Sequence, residues 1–278
     1  MSTIKLLGTG CPSPSSSRFG PSTLFVHDEK NYLFDCGSGV TQRLNAAGVK
    51  SSDIEILFIT HLHSDHVMDM YQLYISGWHQ GRDKKFKIIG PKGTKEFFYN
   101  LLNAFDEELQ GRIKWEQRPN NNGLEFEVIE IDASFKFKHF DLEVNPFEVD
   151  HYPVEPAFGY QIKFLDTGQE KKVVISGDTR KSENLIEHSL DADALVHEVF
   201  VSLEFDEKRM SKETILNVSD YHTSPKEIGE IANIAKVKKL ILTHFVPPIF
   251  DENELIANIA ESYNGQIIIG EDLMSIEI

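Results

Sequence analysis

Short apolar runs separated by turn-forming residues dominate the first half of the chain. Such runs occur at residues 4–7, 23–26, 31–34 and 54–59. Residues 124–149 continue the pattern as three further segments, in which apolar and polar positions alternate most clearly at Phe135, Phe137 and His139. A period of two residues between turn signals is typical of half-buried strands. The first half therefore predicts a sheet-rich structure.

The second half alternates more evenly between strand and helix patterns. The predicted elements are strands at residues 194–199 and 239–242 and helices at residues 224–235 and 251–262. The polar segment from Glu204 to Tyr221 has the composition of a mobile surface loop. No linker or short repeat interrupts the pattern, so we expect two mixed sheets with helices outside them, in a single domain spanning residues 1–278.

The overall composition is that of an ordinary globular protein, with 40% hydrophobic and 26% charged residues. No apolar run approaches the roughly 18 to 20 residues that span a bilayer. The N-terminus lacks the features of a secretory signal. We therefore expect a cytoplasmic protein with no membrane partner. Two cysteines, Cys11 and Cys36, are too few for a disulfide framework, and each is expected to be a buried small residue.

The net charge of −16 at pH 7 limits the choice of partners. A surface this acidic repels polyanions, so generic nucleic-acid binding is disfavoured. Bound divalent metal ions would reverse the field locally. A small anionic substrate is therefore compatible with the charge, whereas a broad basic groove is not.

The stretch from His61 to His66 carries the strongest chemical signal. Four ligand-capable side chains fall within six residues directly after an apolar run, namely His61, His63, Asp65 and His66. In an extended segment, residues i and i+2 point the same way, so His61 and His63 can hold one metal ion. The chain must then turn, which lets Asp65 and His66 face a second ion. A lone histidine here would more often be a core residue, but four groups at this spacing predict a two-metal centre.

This His-x-His-x-Asp-His pattern resembles the signature of the metallo-β-lactamase superfamily. Further stations of that family follow in order along nearly the whole chain, at Gly8-Thr9-Gly10, Phe34-Asp35-Cys36-Gly37, Asp150-His151, Ser176-Gly177-Asp178-Thr179 and Thr243-His244-Phe245. The resemblance implies an α/β (α+β) fold, a four-layer αβ/βα sandwich with the site at the sheet edges.

The resemblance also implies a ligand set. The implied ligands are His61, His63 and His151 for one metal, Asp65, His66 and His244 for the other, and Asp178 bridging the two. Imidazoles and carboxylates without a thiolate suit two Zn²⁺ ions, with Mn²⁺ or Fe as alternatives. Two nearby ions can lower the pKa of a shared water towards roughly 7. Asp65 is also a candidate general base that orients this nucleophile.

Two further motifs resemble those of ribonuclease Z, the endonuclease that trims the 3′ end of tRNA precursors, and of related arylsulfatase-like enzymes. They are Val196-His197-Glu198-Val199-Phe200 and His222-Thr223-Ser224. The resemblance implies that Glu198 and His222 form a hydrogen-bonded pair that protonates the leaving oxygen. His197 is as well explained by a structural role as by a catalytic one. The segment from His222 also has the composition of a helix start, with Glu227 at capping-box spacing from Ser224.

One departure from ribonuclease Z concerns substrate size. That enzyme carries a long arm that grips tRNA, commonly inserted shortly after the Gly-Tyr that follows the third metal station. Here seventeen residues, 161–177, separate Tyr160 from Asp178, and they already supply strands. A basic cluster is the best candidate for an anion-steering patch, although a solvated strand flank explains it equally well; it comprises Arg82, Lys84, Lys85 and Lys87.

These features leave three hydrolase classes open. The leading interpretation is a dinuclear zinc hydrolase of phosphodiester bonds, similar to ribonuclease Z, with a small anionic ester favoured as substrate and RNA as an alternative. An arylsulfatase-like enzyme is the nearest rival, because both esters present tetrahedral anions to the metals. A thioesterase or lactamase is the third class, and the Glu198–His222 pair argues against it. A homodimer is implied only by the family resemblance.

Overall fold

The computed structural model describes residues 2–201 and 210–278 of the chain. Within these residues the backbone forms fourteen strands, numbered in chain order: β1 (Thr3–Gly8), β2 (Ser22–His27), β3 (Lys30–Phe34), β4 (Ile54–Phe58), β5 (Phe86–Gly90), β6 (Phe126–Glu130), β7 (Phe137–His139), β8 (Leu142–Glu148), β9 (Phe158–Asp166), β10 (Gln169–Ile175), β11 (Ala194–Phe200), β12 (Lys239–Val246), β13 (Gln266–Ile269) and β14 (Ser275–Glu277). Each of the four apolar runs first named above overlaps one of these strands.

The described strands pair into two mixed sheets of seven strands each. The first has the order β14-β1-β2-β3-β4-β5-β6, and the second has the order β13-β12-β11-β10-β9-β8-β7. Strands β3 to β6 are mutually parallel in the first sheet, and β10 to β13 are mutually parallel in the second. Because the carboxyl ends of parallel strands meet at one edge, the segments that follow them are brought together there.

Nine helices surround the sheets in the described part of the chain: α1 (Val40–Ala46), α2 (Ser64–Val67), α3 (Met70–His79), α4 (Thr94–Ala104), α5 (Asp106–Glu116), α6 (Glu183–Ser189), α7 (Lys212–Asp220), α8 (Pro225–Ile234) and α9 (Glu252–Ala260). Of the helices in this part of the chain, none has the length and apolar character needed to cross a bilayer.

Three groups of buried side chains separate four layers. Adjacent strand residues face opposite sides of a sheet, so Phe58 packs between the two sheets while Leu57 packs under the helices of the first sheet. Val196 and Leu195 divide in the same way on the second sheet, and Leu195 meets side chains of α6, α8 and α9. The order helix, sheet, sheet, helix confirms the predicted α/β sandwich.

The prediction of a mobile loop from Glu204 to Tyr221 was wrong over much of its length. Residues 204–209 lie outside the described residues, but α7 occupies Lys212–Asp220. The hydroxyl of Ser211 accepts a hydrogen bond from the backbone N–H of Thr214 and so caps this helix. Only Ile215 is fully buried in α7. One buried position is too few to make an apolar stripe visible in the sequence.

Both cysteines are buried, as predicted. Burial raises the pKa of the Cys11 thiol to about 11 and that of Cys36 well above its usual value. Each thiol is therefore protonated at neutral pH, and a protonated thiol is a poor metal ligand or nucleophile.

Candidate metal centre

Three predicted histidine ligands lie close together, although they follow strands of two different sheets. His61 and His63 follow β4 of the first sheet, and His151 follows β8 of the second. His61 Nε2 lies 3.0 Å from His63 Nδ1, and His151 Nε2 lies 3.1 Å from the same atom. Together with a carboxylate oxygen of Asp178, their ligand atoms lie within 4.8 Å of one another. Such a set is compact enough for one cation.

The remaining predicted ligands form a second group beside the first. Asp65 and His66 lie in α2, and His244 lies near the end of β12. His244 Nε2 is 3.2 Å from Asp65 Oδ2, and His66 Nε2 is 3.6 Å from that oxygen. His66 and His244 are buried, and the side chain of Asp65 is 9% exposed. The structure therefore brings every predicted ligand together, while the second predicted role of Asp65, as a general base, stays a prediction.

Asp178 stands between the two groups. Its Oδ2 atom is 3.8 Å from His61 Nε2 and 3.9 Å from His151 Nε2 on one side. On the other side it is 3.4 Å from His66 Nε2 and 3.3 Å from His244 Nε2. One carboxylate facing both groups is the geometry that a bridging ligand requires.

A local irregularity in β12 aims His244 at this centre. The parallel pairing of β11 with β12 shifts register so that Glu198 pairs with Thr243 and Val199 with Phe245, which leaves His244 as an extra residue. His244 has a φ of +47°, a left-handed conformation that non-glycine residues adopt at a cost. The adjacent Phe245 N–H donates to the carbonyl of Thr9 at 3.0 Å. Such bulges characteristically redirect a side chain next to an active site.

A layer of hydrogen bonds behind the ligands fixes their orientation. Asp35 Oδ2 lies 2.8 Å from His66 Nδ1 and accepts a hydrogen bond from Thr60 Oγ1, also at 2.8 Å. Thr60 Oγ1 lies in turn 3.0 Å from His61 Nδ1. His151 Nδ1 donates to the carbonyl of Tyr221 at 2.9 Å. With their Nδ1 atoms engaged, these rings present Nε2 to the centre.

The supporting roles of Asp35 and Thr60 were missed from sequence. The available signal was an aspartate directly after a buried strand and before a glycine turn, with a threonine at the end of the next strand. Because β3 and β4 are adjacent and parallel, the segments after them meet, and Thr60 N–H donates to Asp35 Oδ1 at 2.8 Å. Asp35 has a φ of +61°, which turns its side chain under the ligands.

Charge and protonation at the centre favour cation binding. Burial lowers the pKa of His61, His63 and His151, so these imidazoles are neutral and can donate a lone pair. Burial alone would raise the pKa of Asp178, but the neighbouring His244 and His66 lower it well below its usual value. The centre therefore combines three neutral imidazoles with an ionised carboxylate. At His66 and His244 the nearby carboxylates outweigh burial, raising the pKa of His66 well above its usual value and that of His244 to about 9.

The residues present fit two divalent cations. Among the described residues, His66 Nε2 is buried without a hydrogen-bond partner, although it points at the carboxylates of Asp65 and Asp178. A buried polar atom of this kind is costly unless a ligand satisfies it. Six imidazole and carboxylate ligands around a shared Asp178 are the donor set that zinc and similar ions prefer.

Glu198 and His222 lie against the metal ligands, as expected. His222 offers a ring nitrogen within 4.8 Å of ligand atoms of Asp178 and His244. Its Nδ1 atom is 3.2 Å from Glu198 Oε2, at ion-pair distance but without the alignment of a hydrogen bond. Both residues are buried. The structure thus brings the two side chains together beside the cation-binding groups, but not in the hydrogen bond that the resemblance implied.

His197 faces away from the centre. As the neighbour of Glu198 on β11, it lies on the opposite face of the sheet, the side occupied by Leu195 and Val199 in the core under α8. Its Nδ1 atom donates to the carbonyl of Glu198 at 2.6 Å. Of the two roles left open for His197, this position supports the structural one.

The basic cluster proposed for anion steering lies at the other end of the strands. Arg82 is buried and donates to the carbonyls of Tyr74 and Gly123. The three lysines pair with carboxylates of neighbouring strands: Lys84 with Glu55, Lys85 with Glu125 and Lys87 with Glu127. Because the lysines are paired in this way, the structure favours a solvated strand flank over an anion-steering patch.

Comparison with known proteins agrees with this geometry. Residues 2–245 match the family model described as anti-Pycsar protein Apyc1. A ribonuclease Z from Mycobacterium sp. (strain KMS) is 34% identical over 284 residues, which cover 100% of this chain and 96% of that protein.

Two solved structures share the fold. One is the metallo-β-lactamase fold protein YhfI from Bacillus subtilis, with a TM-score of 0.75, 18% identity, and coverage of 99% of this chain and 98% of that one. The other is the short form of human tRNase Z, with a TM-score of 0.71, 22% identity, and coverage of 99% of each chain. With its clustered histidine and aspartate ligands, the chain belongs to the anti-Pycsar Apyc1 family, as a metallo-β-lactamase-fold hydrolase related to ribonuclease Z.

Proposed function

We propose that this chain is a metal-dependent phosphodiesterase whose substrates are small cyclic nucleotides. The observation that carries the proposal is the position of His222, which lies within 4.8 Å of ligand atoms of Asp178 and His244 and is backed by Glu198. A proton donor next to a cation-binding centre is what an in-line displacement at phosphorus requires. The matched family model, an anti-Pycsar protein linked to cyclic nucleotide phosphodiesterase activity, supports the same class.

The residues divide the work between the two sides of the phosphorus atom. Two divalent cations held by the ligand groups would polarise the phosphoryl oxygens and lower the pKa of a coordinated water. Asp65 orients the attacking water from one side. As the phosphorus–oxygen bond to the ribose breaks, His222 gives a proton to the leaving oxygen. Glu198 holds the imidazole of His222 and balances its positive charge.

The β9–β10 hairpin supports a small substrate. The two strands run antiparallel from Tyr160 to the two-residue turn at Thr167 and Gly168 and back to Ile175. The tRNA-gripping arm expected of ribonuclease Z after the Gly-Tyr station therefore has no counterpart between Tyr160 and Asp178. Without such an arm at this position, a mononucleotide is a better match than a folded RNA.

A substrate panel tests the proposal. Zinc-loaded and manganese-loaded protein would be assayed with 3′,5′-cyclic mononucleotides of each base, bis(p-nitrophenyl) phosphate, p-nitrophenyl sulfate and a tRNA precursor. We expect hydrolysis of the cyclic nucleotides and of bis(p-nitrophenyl) phosphate, and little turnover of the sulfate or the tRNA. Sulfate turnover well above phosphodiester turnover would favour the arylsulfatase-like alternative. Efficient tRNA cleavage without cyclic nucleotide hydrolysis would contradict the proposed substrate class.

A further inference from the structure

Thr223 connects the proton-donating pair to the segment that carries Asp178. It follows His222 directly, is fully buried and lies just before α8. Its hydroxyl donates to the carbonyl of Thr179 at 2.5 Å. Its backbone N–H donates to Glu198 Oε1 at 3.0 Å, and its carbonyl accepts from Phe200 N–H at 3.0 Å. One residue thus joins three separate stations of the site.

The Glu198 carboxylate is held mainly through the oxygen that does not face His222. Oε1 accepts from the backbone N–H groups of Thr223 at 3.0 Å and Thr179 at 3.3 Å. Oε2 faces His222 Nδ1 at 3.2 Å without a well-aligned hydrogen bond. The relative position of Glu198 and His222 therefore depends on the two backbone donors, more than on a direct bond within the pair.

The hydroxyl of Thr223 keeps those two donors in register. By bonding the carbonyl of Thr179, it ties the peptide segment of one donor to the side chain of the other. On its other side, Thr223 is anchored by the start of α8, where Ser224 and Glu227 form a capping box. The helix start fixes the main chain of Thr223, so the hydroxyl can transmit that position to Thr179, the neighbour of Asp178.

We propose that Thr223 is a positioning residue, whose hydroxyl sets His222 and Glu198 in line with the substrate bond that Asp178 and its partners activate. The inference rests on the proposed function, because it assumes that His222 protonates a leaving oxygen. A displaced proton donor matters most when the leaving group is a poor one. Loss of the hydroxyl should therefore slow hydrolysis strongly when the leaving group is an alkoxide, as in a cyclic nucleotide, and much less when it is p-nitrophenolate.

The test compares four variants on a 3′,5′-cyclic mononucleotide and on bis(p-nitrophenyl) phosphate, with metal content and melting temperature measured for each. Thr223→Val removes the hydroxyl and keeps the shape, Thr223→Ser restores the hydroxyl, and His222→Ala removes the donor. Thr94→Val is the matched control, since Thr94 is equally buried and its hydroxyl also donates to a backbone carbonyl, that of Pro91 at 2.7 Å. Thr94 is not part of the metal centre or the proton-donating pair.

We expect Thr223→Val to lower kcat on the cyclic nucleotide by about 10-fold or more, and on bis(p-nitrophenyl) phosphate by less than about 3-fold. The larger loss is part of the roughly 10²- to 10⁴-fold that general acid catalysis contributes. Metal content should stay unchanged, Thr223→Ser should recover most of the loss, and Thr94→Val should show no difference between substrates. Equal losses on both substrates, or loss of metal, would overturn the inference.

Two results separate this inference from the proposed function. If His222→Ala shows no dependence on the leaving group, the assignment of His222 as proton donor fails. If the loss of activity in His222→Ala depends on the leaving group and the loss in Thr223→Val does not, only the role of Thr223 fails. Should Thr223→Val not fold, Thr223→Ala makes the same prediction, and equal losses on both substrates contradict it in the same way.

Discussion

The two ends of the same strands differ in how their charged and polar side chains are paired. At the amino ends of β4, β5 and β6, the lysines of the basic cluster each pair with one carboxylate across the strands. At the carboxyl ends, imidazoles and carboxylates converge instead, as where His61 Nε2 lies 3.0 Å from His63 Nδ1. His66 Nε2 is buried there without a hydrogen-bond partner among the described residues. The paired end needs nothing more, whereas the converging end fits cations that the chain itself does not supply.

This contrast separates groups that stabilise the fold from groups that bind a ligand. Charges that are paired and largely exposed contribute little and have little chemistry left to offer. Buried acceptors that share one space cost stability unless something outside the chain satisfies them. Substitutions at the converging end should therefore lower metal binding and activity, whereas substitutions at the paired end should affect only stability.

The largest effect is expected from Asp178→Asn. Removing the ionised carboxylate between the two ligand groups should lower metal content and reduce kcat/KM for phosphodiesters by about 10³-fold or more, since metal ions supply several kcal/mol of catalysis. Metal analysis and steady-state kinetics would measure both. Asp193→Asn is the control, because Asp193 is also buried but lies at the amino end of β11, where it accepts from Lys172 N–H and Lys238.

Arg82→Met should damage the fold and spare the chemistry. The buried guanidinium donates to the carbonyls of Tyr74 and Gly123, and its replacement removes those hydrogen bonds. We expect the free energy of unfolding to fall by about 2–4 kcal/mol. Denaturant melts would show this, with kcat/KM per folded molecule unchanged within about 2-fold. A specific rise in KM would instead place Arg82 in anion binding.

Asp35→Asn should act on metal affinity. The amide no longer offers two carboxylate oxygens to His66 Nδ1 and Thr60, so the ligands lose their fixed orientation. Substitutions of such supporting groups typically cost about 10- to 100-fold in metal affinity. Competition with a chelator of known affinity would measure the change. Unaltered affinity would show that Asp35 does not orient the ligands.

The smallest effects are expected at Lys85 and Lys87. Their partners, Glu125 and Glu127, are about as exposed as the lysines themselves. Replacing either lysine by alanine should cost at most about 1 kcal/mol of stability and leave KM unchanged at low and high salt. A KM that rises at low salt would revive the anion-steering interpretation.

The candidate ligands could be predicted from sequence because four of them lie within six residues, and the rest follow family stations in a fixed order. The groups behind them were not predictable from spacing along the chain alone. Asp35 meets His66 across 31 positions, and Thr223 meets Thr179 across 44. Such contacts depend on which strands and loops become neighbours, and a spacing pattern does not contain that information.

Helices α5 and α6 were not predicted from the sequence for a different reason. Helix α5 buries only Leu109, and α6 is short, with Leu185 and Ser189 as its buried positions. An amphipathic stripe needs several apolar residues at helical spacing before it stands out. Helix α8, which was predicted, meets that condition, with Ile228, Gly229, Ile231 and Ala232 buried.

The most direct test of the account is the number of metal ions that the protein binds. Protein stripped of metal, saturated with zinc and freed of excess would be analysed for zinc per chain. Two ligand groups sharing Asp178 predict two equivalents per chain, with a marked loss in Asp178→Asn. One equivalent or fewer in the unaltered protein would contradict the dinuclear centre.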